Sequence, residues 1–273
     1  MRIPLTALLA GALASVLLAG TAHAATSSSS APAFKAALAK NPIYKTGKLG
    51  YDTCDEQDVQ SADVDEVRVY LEGVLDCLDA AWKPVVERAG FTFSKPTLRL
   101  ITKPGAPTGC GDKFPAAAQA VYCSKNKRIT YLVNSAVVQE PNDLMLMAVL
   151  AHEYGHHIQR LTGMFGALTP YKRKNIARVL DESRRLELQA ECLAGTFIGS
   201  VWHSLGRKET DFTYITGSGG SGSVLSLLGI KGEDQAQQTH GSAKNIGAWL
   251  KRGYDTESAG GCNTFKAPKS QVS

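Results

Sequence analysis

The run Leu144-Met145-Leu146-Met147-Ala148-Val149-Leu150-Ala151 is apolar on nearly every helical face. It continues without a break into His152-Glu153-Tyr154-Gly155-His156-His157-Ile158-Gln159. Pro141-Asn142-Asp143 supplies helix-start residues and Gly163 a stop. A helix that is apolar all round belongs in an interior, so this one carries imidazoles and a carboxylate into a core. Burying such groups without partners is costly. The rest of the chain must therefore bring partners to them.

The spacing says what kind of partner. His152 and His156 lie one turn apart on one face, and with Glu153 they form H-E-x-x-H. Two neutral imidazoles so placed can bind one zinc ion from one side, with the adjacent carboxylate positioned to take a proton from a metal-activated water. The competing interpretation is two core histidines, each hydrogen-bonded to backbone or carboxylate. A third ligand is needed. The longer metzincin pattern is absent, so the search moves to carboxylates on a later helix. Arg185-Leu186-Glu187-Leu188-Gln189-Ala190-Glu191-Cys192 offers two on one face. We assign Glu187 to the metal and Glu191 to the free ring N–H of a ligand histidine. The competing interpretation here is a solvated face, because Glu182, Arg184 and Arg185 lie nearby.

Around this pair of helices the chain reads as α+β, mostly helical with a small sheet beside the H-E-x-x-H helix. Apolar residues from Val64 to Trp82 recur at three and four and predict a helix over Asp63–Ala89, stopped at Gly90. Thr97–Ile101 alternates as a short strand. Ala120–Cys123 and Arg128–Val133 read as a hairpin around Ser124-Lys125-Asn126-Lys127. A second long helix is expected from about Tyr171 to Leu205, with Ile176, Val179, Leu180, Leu193, Phe197, Ile198 and Val201 inward. Gly217 to Ser223 reads as a flexible connector. Two short helices are expected around Glu233–Gln238 and Ser242–Gly253.

Residues 1–24 read as a signal peptide: a positive start, the apolar stretch Leu5 to Gly20, and Ala22-His23-Ala24 as the cleavage site. Ala25 to Gly50 lacks a sustained period and reads as a flexible leader, which leaves one domain over 51–273. Export makes the six cysteines candidates for three disulfides. Fifteen pairings are open to them; the most local is Cys54–Cys77, Cys110–Cys123 and Cys192–Cys262. The formal charge of +5 is spread, with no run of five Lys or Arg. A nucleic-acid partner is not expected, nor is stable membrane insertion once the leader is removed.

Several short motifs in order resemble those of the bacterial neutral zinc metallopeptidases, a gluzincin-like group. They are Cys110-Gly111, Tyr122-Cys123, Ala151 to Gln159, Glu187-Leu188-Gln189-Ala190-Glu191-Cys192, Gly232-Glu233-Asp234, Thr239-His240-Gly241-Ser242-Ala243 and Cys262-Asn263-Thr264-Phe265. The resemblance implies a zincin-like fold and a zinc endopeptidase with one Zn2+. His152, His156 and Glu187 would be its ligands and Glu153 its general base. Two positions depart from the group: Glu191 stands where Asp is usual, and Ser124-Lys125-Asn126 replaces Pro-x-Asp. His240, before a helix capped by Ser242, is either an oxyanion donor or a structural turn residue. His157, off the ligand face, reads as a residue that supports the ligands or packs, Tyr154 as core rather than pocket wall, and His203 as a structural helix residue. The function expected is hydrolysis of peptide bonds in a secreted peptide or protein substrate, with an extended substrate pairing to the sheet edge near Arg128–Val133. The alternatives are a non-catalytic exported module that binds peptide or envelope material around a structural zinc, or an amide hydrolase of cell-wall peptides.

Overall fold

Asp63 accepts a hydrogen bond from the amide of Asp65 and starts helix α1, Val64–Arg88. The helix buries Val67, Tyr70, Leu71, Val74, Leu78, Trp82 and Val85. It ends before Gly90, which takes a φ of 83°, a conformation open to glycine at no steric cost. The computed structural model describes residues 34–56, 59, 63–116, 118–140, 142–217 and 239–273. The expected signal peptide, the Gly/Ser connector beyond Gly217 and the helix around Glu233–Gln238 lie outside them.

Three strands follow α1: β1, Thr97–Ile101; β2, Ala120–Cys123; and β3, Arg128–Leu132. Their order is β1-β3-β2, with β1 parallel to β3 and β2 antiparallel to it. The small mixed sheet is thus present, and the hairpin turns at Lys127 with a φ of 54°. The expected substrate edge needs correction. β3 is paired on both sides and has no free edge; the free edges are β1 and β2.

Helix α2, Leu144–Leu161, buries every residue from Leu144 to Gln159. Helix α3, Ile176–Val201, packs across it, and helix α4, Ala243–Thr256, packs along α3. The α3–α4 contact is backbone-close: a Cβ at Gly253 would overlap the carbonyl of Cys192, and one at Gly195 that of Leu250. α3 is shorter than the expected helix. Its first turn lies at the surface, with Ile176 39% exposed, so the inward face begins later. His203 sits in an exposed turn beyond α3 rather than on a helix.

Cys54–Cys77, Cys110–Cys123 and Cys192–Cys262 are bonded. They tie the chain before α1 to that helix, the loop after β1 to β2, and α3 to the C-terminal segment. The expected flexible leader is corrected over 34–50. Leu38, Ile43 and Leu49 are buried in the main core, and the Asn41 amide donates to the carbonyl of Thr162 at 3.0 Å. These apolar residues enter the core from a short helical turn, Ala36–Ala39 or Pro42–Lys45, or from the extended chain beyond. That is why they show no period in the sequence. Among the described residues no helix is long and apolar enough to cross a membrane.

Candidate metal centre

α2 and α3 meet at Gly155, inside the H-E-x-x-H motif. A Cβ on Gly155 would stand 2.9 Å from both the Cα and the carbonyl oxygen of Ala190, closer than real Cβ contacts allow. Ala190 lies between Glu187 and Glu191, so two small residues let one helix lower its carboxylates onto the imidazoles of the other. Sequence reasoning did not single out this pair, although a glycine in the middle of a buried helix is the kind of signal that marks close approach.

Three side chains converge there. Glu187 Oε2 is 3.1 Å from His156 Nε2 and 3.4 Å from His152 Nε2. One ligand atom from each of His152, His156 and Glu187 falls within 4.8 Å of the others. The two histidines are buried and the glutamate is partly exposed. These are two nitrogen donors and one oxygen donor, each with a lone pair available to the same small volume. Such atoms repel one another unless a cation, a metal ion or protons, lies between them. Two imidazoles and a carboxylate are also a ligand set that zinc takes when a fourth position is left open. The residues present therefore fit a zinc ion.

The surrounding groups are arranged in order. Glu191 Oε1 lies 3.1 Å from His152 Nδ1, at ion-pair distance. That contact is off hydrogen-bond angle, and neither oxygen of this buried carboxylate has a hydrogen-bond partner. His156 Nδ1 is 2.9 Å from Gln159 Oε1, a partner that sequence reasoning missed although it sits three residues on, along the same helix face. Glu153 is buried, and the backbone amide of Tyr122 on β2 favours the charged form of its carboxylate. His240 Nε2 stands 3.5 Å from Glu187 Oε2 at the rim, with its Nδ1 2.9 Å from Thr239 Oγ1. A cavity of about 300 Å³ opens over these groups, walled by Val121, Tyr122 and Phe165 as well as by His152, Glu153, His156, Glu187 and His240.

Charge follows from this packing. Burial lowers the proton affinity of His152, but Glu191 and Glu187 outweigh it and hold its pKa well above the ordinary 6.5. His156 is raised in the same way, against burial, chiefly by Glu187. Glu187 is held well below the carboxylate value of 4.5: burial pushes it up, and His156, His152 and His240 more than reverse that. Glu153 goes the other way, because burial raises it above 4.5 despite the imidazoles beside it.

The other expected packing residues behave as such. Tyr154 is buried and donates to Asp79 Oδ1 at 2.7 Å. His157 is buried with both ring nitrogens occupied, Nε2 2.7 Å from the Ser94 carbonyl and Nδ1 3.0 Å from the Tyr122 hydroxyl. Burial pushes its pKa down to about 4. The idea of Glu187 and Glu191 on a solvated face does not hold, since Glu182, Arg185 and Glu191 are all buried. Arg185 instead reaches the carbonyls of Thr264 and Ala267.

A cluster that could hold a metal ion, on two packed helices beside a small mixed sheet, is consistent with a zincin-like fold. Residues 44–265 match the family described as "Putative neutral zinc metallopeptidase", and the chain belongs to that family. It is 28% identical over 227 residues to the uncharacterized protein YpfJ of Escherichia coli (strain K12), covering 75% of this chain and 74% of that protein. It is 30% identical over 227 residues to the uncharacterized protein Rv2575 of Mycobacterium tuberculosis (strain ATCC 25618 / H37Rv), covering 74% and 71%. No solved structure matches the chain.

Proposed function

We propose that this protein is a zinc-dependent endopeptidase that works outside the cytoplasm on peptide or protein substrates. The observation that carries the proposal is the buried Glu153 carboxylate, which shares one open cavity with three converging ligand atoms. His152, His156 and Glu187 would hold one zinc ion. Bound there, zinc supplies a water made acidic near neutrality and a Lewis acid for a carbonyl oxygen.

The chain's own residues do the rest. Glu153 accepts a proton from the attacking water at its carboxylate and delivers it to the leaving amine nitrogen. Its raised proton affinity suits both halves of that transfer. The Tyr122 backbone amide favours the charged carboxylate, Gln159 orients the His156 imidazole, and Glu191 places a negative charge 3.1 Å from His152 Nδ1. His240, at the rim, is placed to donate Nε2–H to the oxygen that gains charge in the tetrahedral intermediate. The free edge of β2 borders the cavity, and an extended substrate would pair with it through backbone groups. Three disulfides suit an oxidising compartment, and residues 1–24 would be the export signal.

The test compares wild type with Glu153→Ala for zinc content and for hydrolysis of an unstructured protein substrate. Retained zinc with hydrolysis reduced by about 100-fold or more is the expected result. Equal hydrolysis by both proteins would remove Glu153 from the mechanism. Bound zinc without any hydrolysis in the wild type would favour an exported binding module.

A further inference from the structure

A chain of hydrogen-bonded side chains runs from His156 away from the cavity. Gln159 Nε2 lies 2.7 Å from the carbonyl of Leu186 and 3.1 Å from Gln189 Oε1. Gln189 Nε2 lies 3.1 Å from the carbonyl of Cys262 and 2.7 Å from the Tyr44 hydroxyl. The Tyr44 hydroxyl lies 2.8 Å from the carbonyl of Leu38. Both glutamines are fully buried.

A carbonyl oxygen only accepts, so each contact with one fixes a polarity. Leu186 O requires Gln159 to present its NH2 group there, which turns Oε1 toward His156. Cys262 O does the same to Gln189, leaving Gln189 Oε1 free to accept the second proton of Gln159. The second proton of Gln189 goes to Tyr44, whose own proton goes to Leu38 O. Every donor and acceptor in the chain is used, and reversing either amide would leave two oxygens facing each other. Gln159 Oε1 can therefore only accept from His156, 2.9 Å away, and His156 must carry its proton on Nδ1. In the neutral ring that leaves the Nε2 lone pair facing the ligand cluster, where Glu187 Oε2 lies 3.1 Å away.

We propose that Gln159 is a positioning residue that sets the tautomer and ring angle of His156, and that Gln189 and Tyr44 set Gln159. The site then holds its two histidines by different means, a carboxylate behind His152 and a neutral amide chain behind His156. The proposal rests on the metal reading for its purpose but not for its geometry, so its test has one arm for each.

In the first arm, histidine-labelled protein is observed by nitrogen NMR at neutral pH, without metal and with zinc. His156 Nδ1 should be protonated in both states, and an unprotonated Nδ1 would overturn the proposal whether or not zinc binds. In the second arm, zinc affinity is measured by competition with a chelator for Gln159→Leu, Gln189→Leu and Tyr44→Phe. Gln159→Leu should weaken zinc by about 10–100-fold. Gln189→Leu and Tyr44→Phe, which touch no ligand, should follow in decreasing order while the circular dichroism of the metal-free protein is unchanged. Wild-type affinity in folded Gln159→Leu, or in Gln189→Leu if the first variant does not fold, would overturn the proposal. A wild type that binds no zinc defeats the metal reading and leaves the tautomer result standing.

Discussion

His156 and His157 are neighbours in the chain and opposites in the fold. His157 turns to the sheet side of α2, where a hydroxyl and a backbone carbonyl meet its two nitrogens. His156 turns to the α3 side, where one nitrogen meets Gln159 and the other a carboxylate shared with His152. Burial lowers the pKa of the first to about 4, while surrounding carboxylates raise the second. A structural histidine closes its hydrogen bonds with neutral groups. His156, a candidate ligand, aims a nitrogen at another electron-pair donor, an arrangement that is stable only around a positive charge, a proton or a metal ion.

The sharpest way to break this contrast is to remove each ring in turn. His156→Ala should lower zinc affinity by roughly two orders of magnitude or more, since the free energy of zinc binding is divided among few ligands. His157→Phe should leave zinc affinity within about threefold and instead cost about 1–3 kcal/mol of stability, because Ser94 O and the Tyr122 hydroxyl lose their partner. Chelator competition and denaturant midpoints on both variants decide this. Equal zinc loss in both would erase the distinction.

The next effect concerns the gap between the faces. Gly155→Ala should push α3 away and cost about 1–3 kcal/mol by overpacking, with a loss of zinc affinity that other buried overpacking variants do not share. Melting curves with and without zinc separate the two losses.

The two faces also titrate with opposite sign. In metal-free protein the raised values of His152 and His156 contribute stability that is fully present below their unfolded value near 6.5 and is lost as pH rises through the folded values. The lowered Glu187 contributes stability present above 4.5 and lost as pH falls through its folded value. His157, lowered to about 4, contributes stability present above 6.5 and lost as pH falls from 6.5 toward 4. His157→Phe should flatten that acid limb alone. Because protons compete for the same nitrogens, the rise in melting temperature on adding zinc should be larger at pH 8 than at pH 6. A zinc effect independent of pH would contradict the ligand assignment.

The smallest effect is expected from Tyr122→Phe, which removes the donor to His157 Nδ1 and leaves the backbone amide at Glu153 in place. About 1 kcal/mol of stability should go, with zinc content unchanged.

Much of this was legible in the sequence because the decisive residues sit on long periodic helices. His152, Glu153 and His156 follow from spacing within α2, and Glu187 and Glu191 from spacing within α3. Local pairing was the simplest arrangement of the cysteines and is the one formed. What escaped depends on relations between segments. The packing of Leu38, Ile43 and Leu49 has no period to betray it. The central place of β3 follows from a parallel pairing with β1 across the intervening hairpin, and no local pattern encodes that. Gln159 and Gln189 look like ordinary polar helix residues until α2 and α3 cross and bury both. The Glu182–Glu191 stretch reads as a charged surface because nothing in it announces that Thr264 and Ala267 will cover Arg185.

The central claim is an open metal centre with three protein ligands, and diffraction from zinc-loaded crystals at the zinc absorption edge tests it most directly. One anomalous peak is predicted between Nε2 of His152, Nε2 of His156 and the Glu187 carboxylate, with no protein atom in the remaining position. A peak closed by His240 as a fourth ligand, or no peak among these three side chains, would contradict it.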